Sequence, residues 1–295
     1  MTGVLYRKLL ADSRIFLGIV CLLLLAFQML WAHVSWRISG DILKQLTAAD
    51  VNPDKIRGIV FQGSGKTMQA LMGGEDIKIE NAEDMMSIGF VHPLVLTILS
   101  IWAIGRASAA IAGEIDRGTM ELLLAHPIRR SQVILAHLLV DLTTIPLICL
   151  SMWLGNWHGT WLFGLQDMKA ANLHVDPVRF LPGLLNVGLL VLALSGYSMF
   201  LSAAGRFRSK VLGLAIVITL VQFLINVIGQ LWSPMNWMRP WTVFYHYQPQ
   251  PLILKDDWAS QAATWQHLGV LLAVGVAGYL LAWWKFCKRD LPAPL

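Results

Sequence analysis

The apolar positions of this chain gather into six long runs, near residues 15–34, 88–111, 133–155, 180–205, 211–232 and 266–284. Each supplies the roughly 20 apolar residues that a helix needs to cross a bilayer. A lone segment in lipid must satisfy its own backbone hydrogen bonds, so all six are predicted to be helices. The expected fold is an all-α polytopic membrane protein, a single transmembrane domain over residues 1–295. Arg7, Lys8 and Arg14 precede the first run, as in a signal peptide. The apolar core is too long for one and no cleavage site follows at Trp31-Ala32-His33, so it reads as a signal anchor.

Three polar intervals break the pattern. Residues 36–87 form a long loop with Pro53, Gly63, Gly65, Gly73 and Gly74, in which helical pieces such as 38–46 fit but a compact domain does not. Residues 233–262 carry Pro234, Pro240, Pro249 and Pro251, which exclude one continuous helix. Their aromatic stretch 237–247 suits short re-entrant or interfacial helices. The third interval, 112–131 (AGEIDRGTMELLLAHPIRRS), is helix-compatible and charged with both signs. A simple turn between spans needs nothing so organised.

Charge decides the sides. With the N-terminus in the cytoplasm, the inner segments hold 13 basic residues against 5 acidic ones, and the outer segments 10 against 12. That is the asymmetry of the positive-inside rule, and the short basic loop Arg206-Phe207-Arg208-Ser209-Lys210 is its strongest vote. Trp31, Trp36, Trp153, Trp157, Trp161, Trp232, Trp237, Trp241, Trp258 and Trp265 fall at or beyond the outer helix ends, where aromatic rings favour the interface. Both termini are expected in the cytoplasm, in a multi-pass protein of the plasma membrane. The chain is 56% hydrophobic and 14% charged, and its net charge of +5 is topological, which argues against a nucleic-acid partner. Cys21, Cys149 and Cys287 lie in or beside spans, so no disulfide framework is expected.

On this topology 112–131 is cytoplasmic. Glu114, Arg117 and Glu121 recur at i, i+3 and i+7, one helical face, while Met120, Leu122, Leu123 and Leu124 make the other side apolar. Pro127 ends the helix, Arg129 and Arg130 reach the headgroups, and Ser131 is the expected cap of the third span. The product is an amphipathic helix over 113–126 that binds either membrane lipid or a cytoplasmic partner. Gln62-Gly63-Ser64-Gly65-Lys66-Thr67 imitates a phosphate-binding loop, but position 60 is Val60 where the first glycine belongs. No histidine is followed by Glu, as a His-Glu-x-x-His zinc site needs. His158, His174, His246 and His267, with Met168, Met235 and Met238 near in sequence, fall outside, and a soft-metal role competes with plain interfacial histidines. Asp141 lies within the third span with His137 one turn before it, either a pathway site or a satisfied polar pair. Arg106, near the inner end of the second span, is expected to snorkel to the headgroups.

Ala112-Gly113-Glu114, Arg117-Gly118-Thr119, Glu121-Leu122-Leu123-Leu124, Pro127 and Arg129-Arg130 resemble the run after the second span in permease subunits of type-2 ABC exporters. The resemblance extends to Tyr6-Arg7-Lys8-Leu9-Leu10, similar to the family's N-terminal interfacial helix. It also takes in the outer segment from Ser233-Pro234 through Tyr245-His246-Tyr247-Gln248-Pro249, and the ending Lys288-Arg289-Asp290-Leu291. His137 departs from the lysine found in many relatives. The resemblance implies a six-helix, non-catalytic permease, paired with a second permease subunit and docked on two cytoplasmic ABC ATPase subunits. Those would hold the ATP and magnesium, with no cofactor in this chain. It makes 113–126 a coupling helix, with Glu114, Arg117, Gly118, Thr119, Glu121, Leu122, Leu123, Pro127, Arg129 and Arg130 as docking residues. His137 and Asp141 are then pathway candidates. The rival classes are an ATP-independent carrier or scaffold whose amphipathic helix binds a partner, and an intramembrane enzyme.

Overall fold

A computed structural model describes residues 2–49, 77–78, 81–168 and 173–290. Stretch 62–67 and most of loop 36–87 lie outside the described residues, as does Leu291. The described residues form α1 (Thr2–Ala49), α2 (Ala82–Val91), α3 (Pro93–Ala110), α4 (Ala112–Asp116), α5 (Met120–Ala125), α6 (Arg130–Leu162), α7 (Leu181–Ala204), α8 (Arg208–Leu231), α9 (Pro249–Leu254) and α10 (Ala262–Lys288), with short 3-10 turns between them and no strand. Six segments are long and apolar enough to cross a membrane: α1, α2 with α3, α6, α7 with the turn before it, α8 and α10. The protein is an all-α, multi-pass membrane protein.

The first helix departs from expectation. Residues 6–10 are not a separate interfacial helix but the opening turns of α1, which runs unbroken for 48 residues. At 1.5 Å per residue that is about 70 Å, well over twice the thickness of a hydrocarbon core. No proline interrupts it, Leu5 in its first turns is buried in the core, and the Tyr6 hydroxyl ties them to α6 by bonding Thr143 at 3.0 Å. The second span starts earlier than its apolar run, at Ala82, and breaks at His92-Pro93. Pro93 takes the first position of α3, where a missing N–H costs nothing, and His92 Nδ1 accepts from the Leu94 N–H at 3.2 Å.

The most extensive packing is α1 on α6 and α7 on α10. Small residues let these backbones close: a Cβ on Gly155 would lie 2.9 Å from the Leu25 Cα, and one on Gly278 would lie 2.6 Å from the Tyr197 nitrogen. The fifth span, α8, is the loosest, burying only Val211, Ala215, Thr219 and Gly229. Beyond it the proline-rich segment divides into two. A 3-10 helix at Ser233–Trp241 lies exposed against α8, whereas α9 is buried on α7 and α2. All three cysteines are free.

Candidate functional site

The stretch between the second and third spans is two short helices, not the single helix expected over 113–126. Gly118 is the reason. After α4 the chain turns with Gly118 at φ +70°, a conformation an L side chain adopts at a cost. The Thr119 N–H then bonds the Glu114 carbonyl at 2.9 Å and the Gly118 N–H bonds the Ile115 carbonyl at 3.0 Å. These two bonds define a Schellman motif, which satisfies carbonyls the helix end would leave open. The break spoils the i, i+7 relation: Glu114 pairs with Arg117, but no ion pair joins Glu121 to Arg117 among the described residues. Glu114 also accepts from the Thr119 hydroxyl at 2.5 Å, so Glu114 and Thr119 brace the turn.

The remaining predicted residues sort by exposure. Arg117, Gly118, Glu121, Leu122, Pro127 and Arg129 are exposed, and Leu122 is 67% exposed. Leu123 and Leu124 pack on the core beside buried Met120. Ser131 does not cap α6; Arg129 precedes the helix, and its N–H bonds Gln132 Oε1 at 2.9 Å. Arg130 does not reach for headgroups. It donates to the carbonyls of Phe286 (3.2 Å) and Arg289 and lies 5.8 Å over the Phe286 ring, tying the start of α6 to the end of α10. Arg289 in turn donates to the carbonyls of Ala203 (3.0 Å) and Gly205 (2.7 Å), closing the end of α7. Burial and nearby Arg206 both lower the Arg289 pKa, in line with a guanidinium packed among helix ends.

Behind this platform opens a groove of about 960 Å³ between α1, α3, α6 and α8. Its inner end is polar, with Lys8, Asp12, Arg106, Glu114, Arg117, His137 and Arg208, and its upper walls are apolar, with Leu96, Ile101, Leu212, Ile216, Leu220 and Phe223. The predicted pathway residue His137 therefore lines the groove, together with Glu114, Arg117 and Leu123 of the platform. Asp141 does not. It is fully buried, paired with Arg106 and accepting from the Tyr279 hydroxyl. Arg106 thus points inward to a partner rather than snorkelling. Its guanidinium also meets Tyr279 Oη at 3.2 Å and His137 Nδ1 at 3.3 Å, so His137 and Asp141 are joined through it.

Of the four histidines expected on the outer side, sequence spacing missed that two meet. His246 Nδ1 lies 3.0 Å from His267 Nδ1, and His246 Nε2 donates to the Pro240 carbonyl at 2.9 Å. His158 is spent on the Leu154 carbonyl of its own helix. Among the described residues no three His, Cys, Asp or Glu side chains gather to hold a metal.

A family model described as ABC-2 family transporter protein matches residues 10–291, nearly the whole chain. No curated protein matches it.

Proposed function

The chain belongs to the ABC-2 transporter family, and from that premise we propose that it couples ATP hydrolysis on a separate ATPase subunit to export of a substrate. As a permease subunit of an ABC transporter it supplies the membrane path and its partner the engine. Two such permeases would face each other over two ATPase subunits in the bacterial inner membrane, with both termini of this chain in the cytoplasm. ATP and its magnesium are assigned to the partner. The docking face is the exposed side of the α4–α5 platform: Arg117, Gly118, Glu121, Leu122, Pro127 and Arg129. Glu114, Thr119, Leu123 and Arg130 hold that face in shape from behind. ATP would draw the ATPase subunits together, carrying the platform, and the groove between α1, α3, α6 and α8 would open and close in response.

One observation carries this reading beyond family membership. A folded, capped and partly apolar platform stands exposed between the second and third spans, and a mere loop needs neither the Schellman turn nor an outward Leu122. The test is affinity purification from native membranes in mild detergent. A Walker-motif ATPase should co-purify, and Glu121→Ala should lower its vanadate-sensitive ATPase activity several-fold. Recovery of the chain with no ATPase, or unchanged activity in the variant, would overturn the proposal.

A further inference from the structure

Covalent connection suggests that a moving platform pulls on the second and third spans, which flank it. The contacts reach beyond those two spans. The packing partners of α4 are α3, α5, α7 and α8. The link from α5 to α6, by contrast, is an extended turn of largely exposed residues, His126 to Arg129.

Two side chains make the attachment. Ser202, near the end of α7, is fully buried. Its Oγ accepts from the backbone N–H groups of Ile111 (3.1 Å) and Ala112 (3.0 Å), and donates to the Ser108 carbonyl at 3.3 Å. A hydroxyl has one donor and two acceptor sites, so all of its capacity is used. The two N–H groups it receives lie where α3 gives way to α4, and helix starts leave such donors without partners. At the other end of α4, Asp116 Oδ2 accepts from the Arg208 N–H at 3.2 Å, at the first residue of α8. A carboxylate at a helix N-terminus is favoured by the macrodipole as well as by the hydrogen bond. Gly113 lies against the Arg208 side chain between these points, at 3.5 Å from a built Cβ to Cδ.

We propose that Ser202 and Asp116 are positioning residues through which the platform drives the fourth and fifth spans, with α8 as the groove wall that moves. This rests on the docking reading above. The loose burial of α8 suits it for the part, since few packed side chains must be displaced for it to shift. Tyr197 bonds Thr219 between α7 and α8, so the pair would travel together. Leu212, Ile216 and Leu220 of α8 line the groove, and displacement of this helix changes its width directly.

The test uses the complex purified with its ATPase and set in nanodiscs. Cys21, Cys149 and Cys287 are replaced by alanine, and a bimane reporter is placed at Leu220→Cys on α8 or Ile101→Cys on α3. ATP with vanadate should change bimane emission at both positions. Ser202→Ala with Asp116→Ala should retain ATPase co-purification and vanadate-sensitive hydrolysis, keep the α3 response, and reduce the α8 response at least five-fold. Ser202→Thr, which keeps the hydroxyl, should behave as the parent. Asp116 is exposed, so Asp116→Ala alone serves if the double variant does not fold, with a reduced α8 response expected. A full α8 response in these variants, or equal loss at both positions, overturns the proposal. Failure of the parent to hold an ATPase removes the docking reading itself, and this inference with it.

Discussion

Replacing Asp141 by leucine should damage this protein more than replacing Asp141 and Arg106 together. The two side chains are 0% and 8% exposed, so neither charge is served by bulk solvent. Asp141→Leu leaves a guanidinium that stays charged, with only the Tyr279 hydroxyl and a His137 nitrogen as neutral partners. Breaking a buried pair by removing one partner costs about 3–5 kcal/mol. Here the lower end applies, because Arg106 Nε and Asp141 Oδ1 have no hydrogen-bond partner even in the intact pair. A loss of about 3 kcal/mol is over a hundred-fold in the folding equilibrium. The double variant Arg106→Met/Asp141→Leu removes both desolvated charges and fills the site with apolar atoms, a change often neutral in other proteins. Equilibrium unfolding in SDS mixed micelles, followed by tryptophan fluorescence, supplies all four corners of the cycle. The expected order of stability is parent, then double variant, then either single variant, with a coupling energy of about 2 kcal/mol or more. If the double variant is as unstable as the sum of the singles, the pair is not a closed electrostatic unit and this account of Arg106 fails.

Two further outcomes follow from packing and protonation. In Gly278→Ala the new methyl would meet the Gly196 carbonyl group and the Tyr197 nitrogen, all closer than 3.0 Å, so α7 and α10 must part by about 1 Å, whereas Gly269 on the same helix has nothing within 4 Å. The first should lose about 1–3 kcal/mol and the second almost nothing in the same unfolding assay, and equal stabilities would refute the close crossing. In the segment before the last span, the Pro240 carbonyl fixes a proton on His246 Nε2, so the His267 Nδ1–H must donate to a neutral His246 Nδ1. Burial lowers the His246 pKa from its usual value near 6.5, outweighing the Pro240 bond, and a second proton would face His267, the Tyr245 ring and Arg239 stacked on that ring. The folded state thus binds fewer protons than the unfolded one. Stability contributed here is complete above about pH 6.5 and is lost as pH falls below it towards the lowered folded-state value. The unfolding midpoint measured from pH 7.5 to 5.5 should fall more steeply in the parent than in His246→Gln, and identical slopes would count against the shared proton.

What could be read from the chain, and what could not, divides by the kind of partner involved. Apolar length is a property of one segment alone, so six membrane-crossing helices were legible from residue type and spacing. The break at Gly118 had a local signal, since a glycine inside a helical pattern weakens it and is a candidate C-cap. It was overridden by a periodicity that Glu114, Arg117 and Glu121 satisfy only on an uninterrupted helix. Arg106 was misplaced for another reason. Depth in the membrane predicts that a lone cation seeks the headgroups, and nothing local marks Asp141 and Tyr279, 35 and 173 residues further on, as its partners. The least legible contacts are those of Arg130, Arg289 and Ser202, whose partners are backbone carbonyls and N–H groups. Every residue carries such groups, so no residue type betrays which of them a side chain will meet. These three contacts knit the start of α6 and the ends of α7 and α10 to one another and α7 to the platform. A reading from sequence therefore finds the charged segment between the second and third spans, because that is written in side chains, but not the turn that divides it. It ties that segment to the flanking spans alone, because the attachments to α7 and α8 run through a hydroxyl, a carboxylate and main-chain N–H groups that only the folded chain brings together.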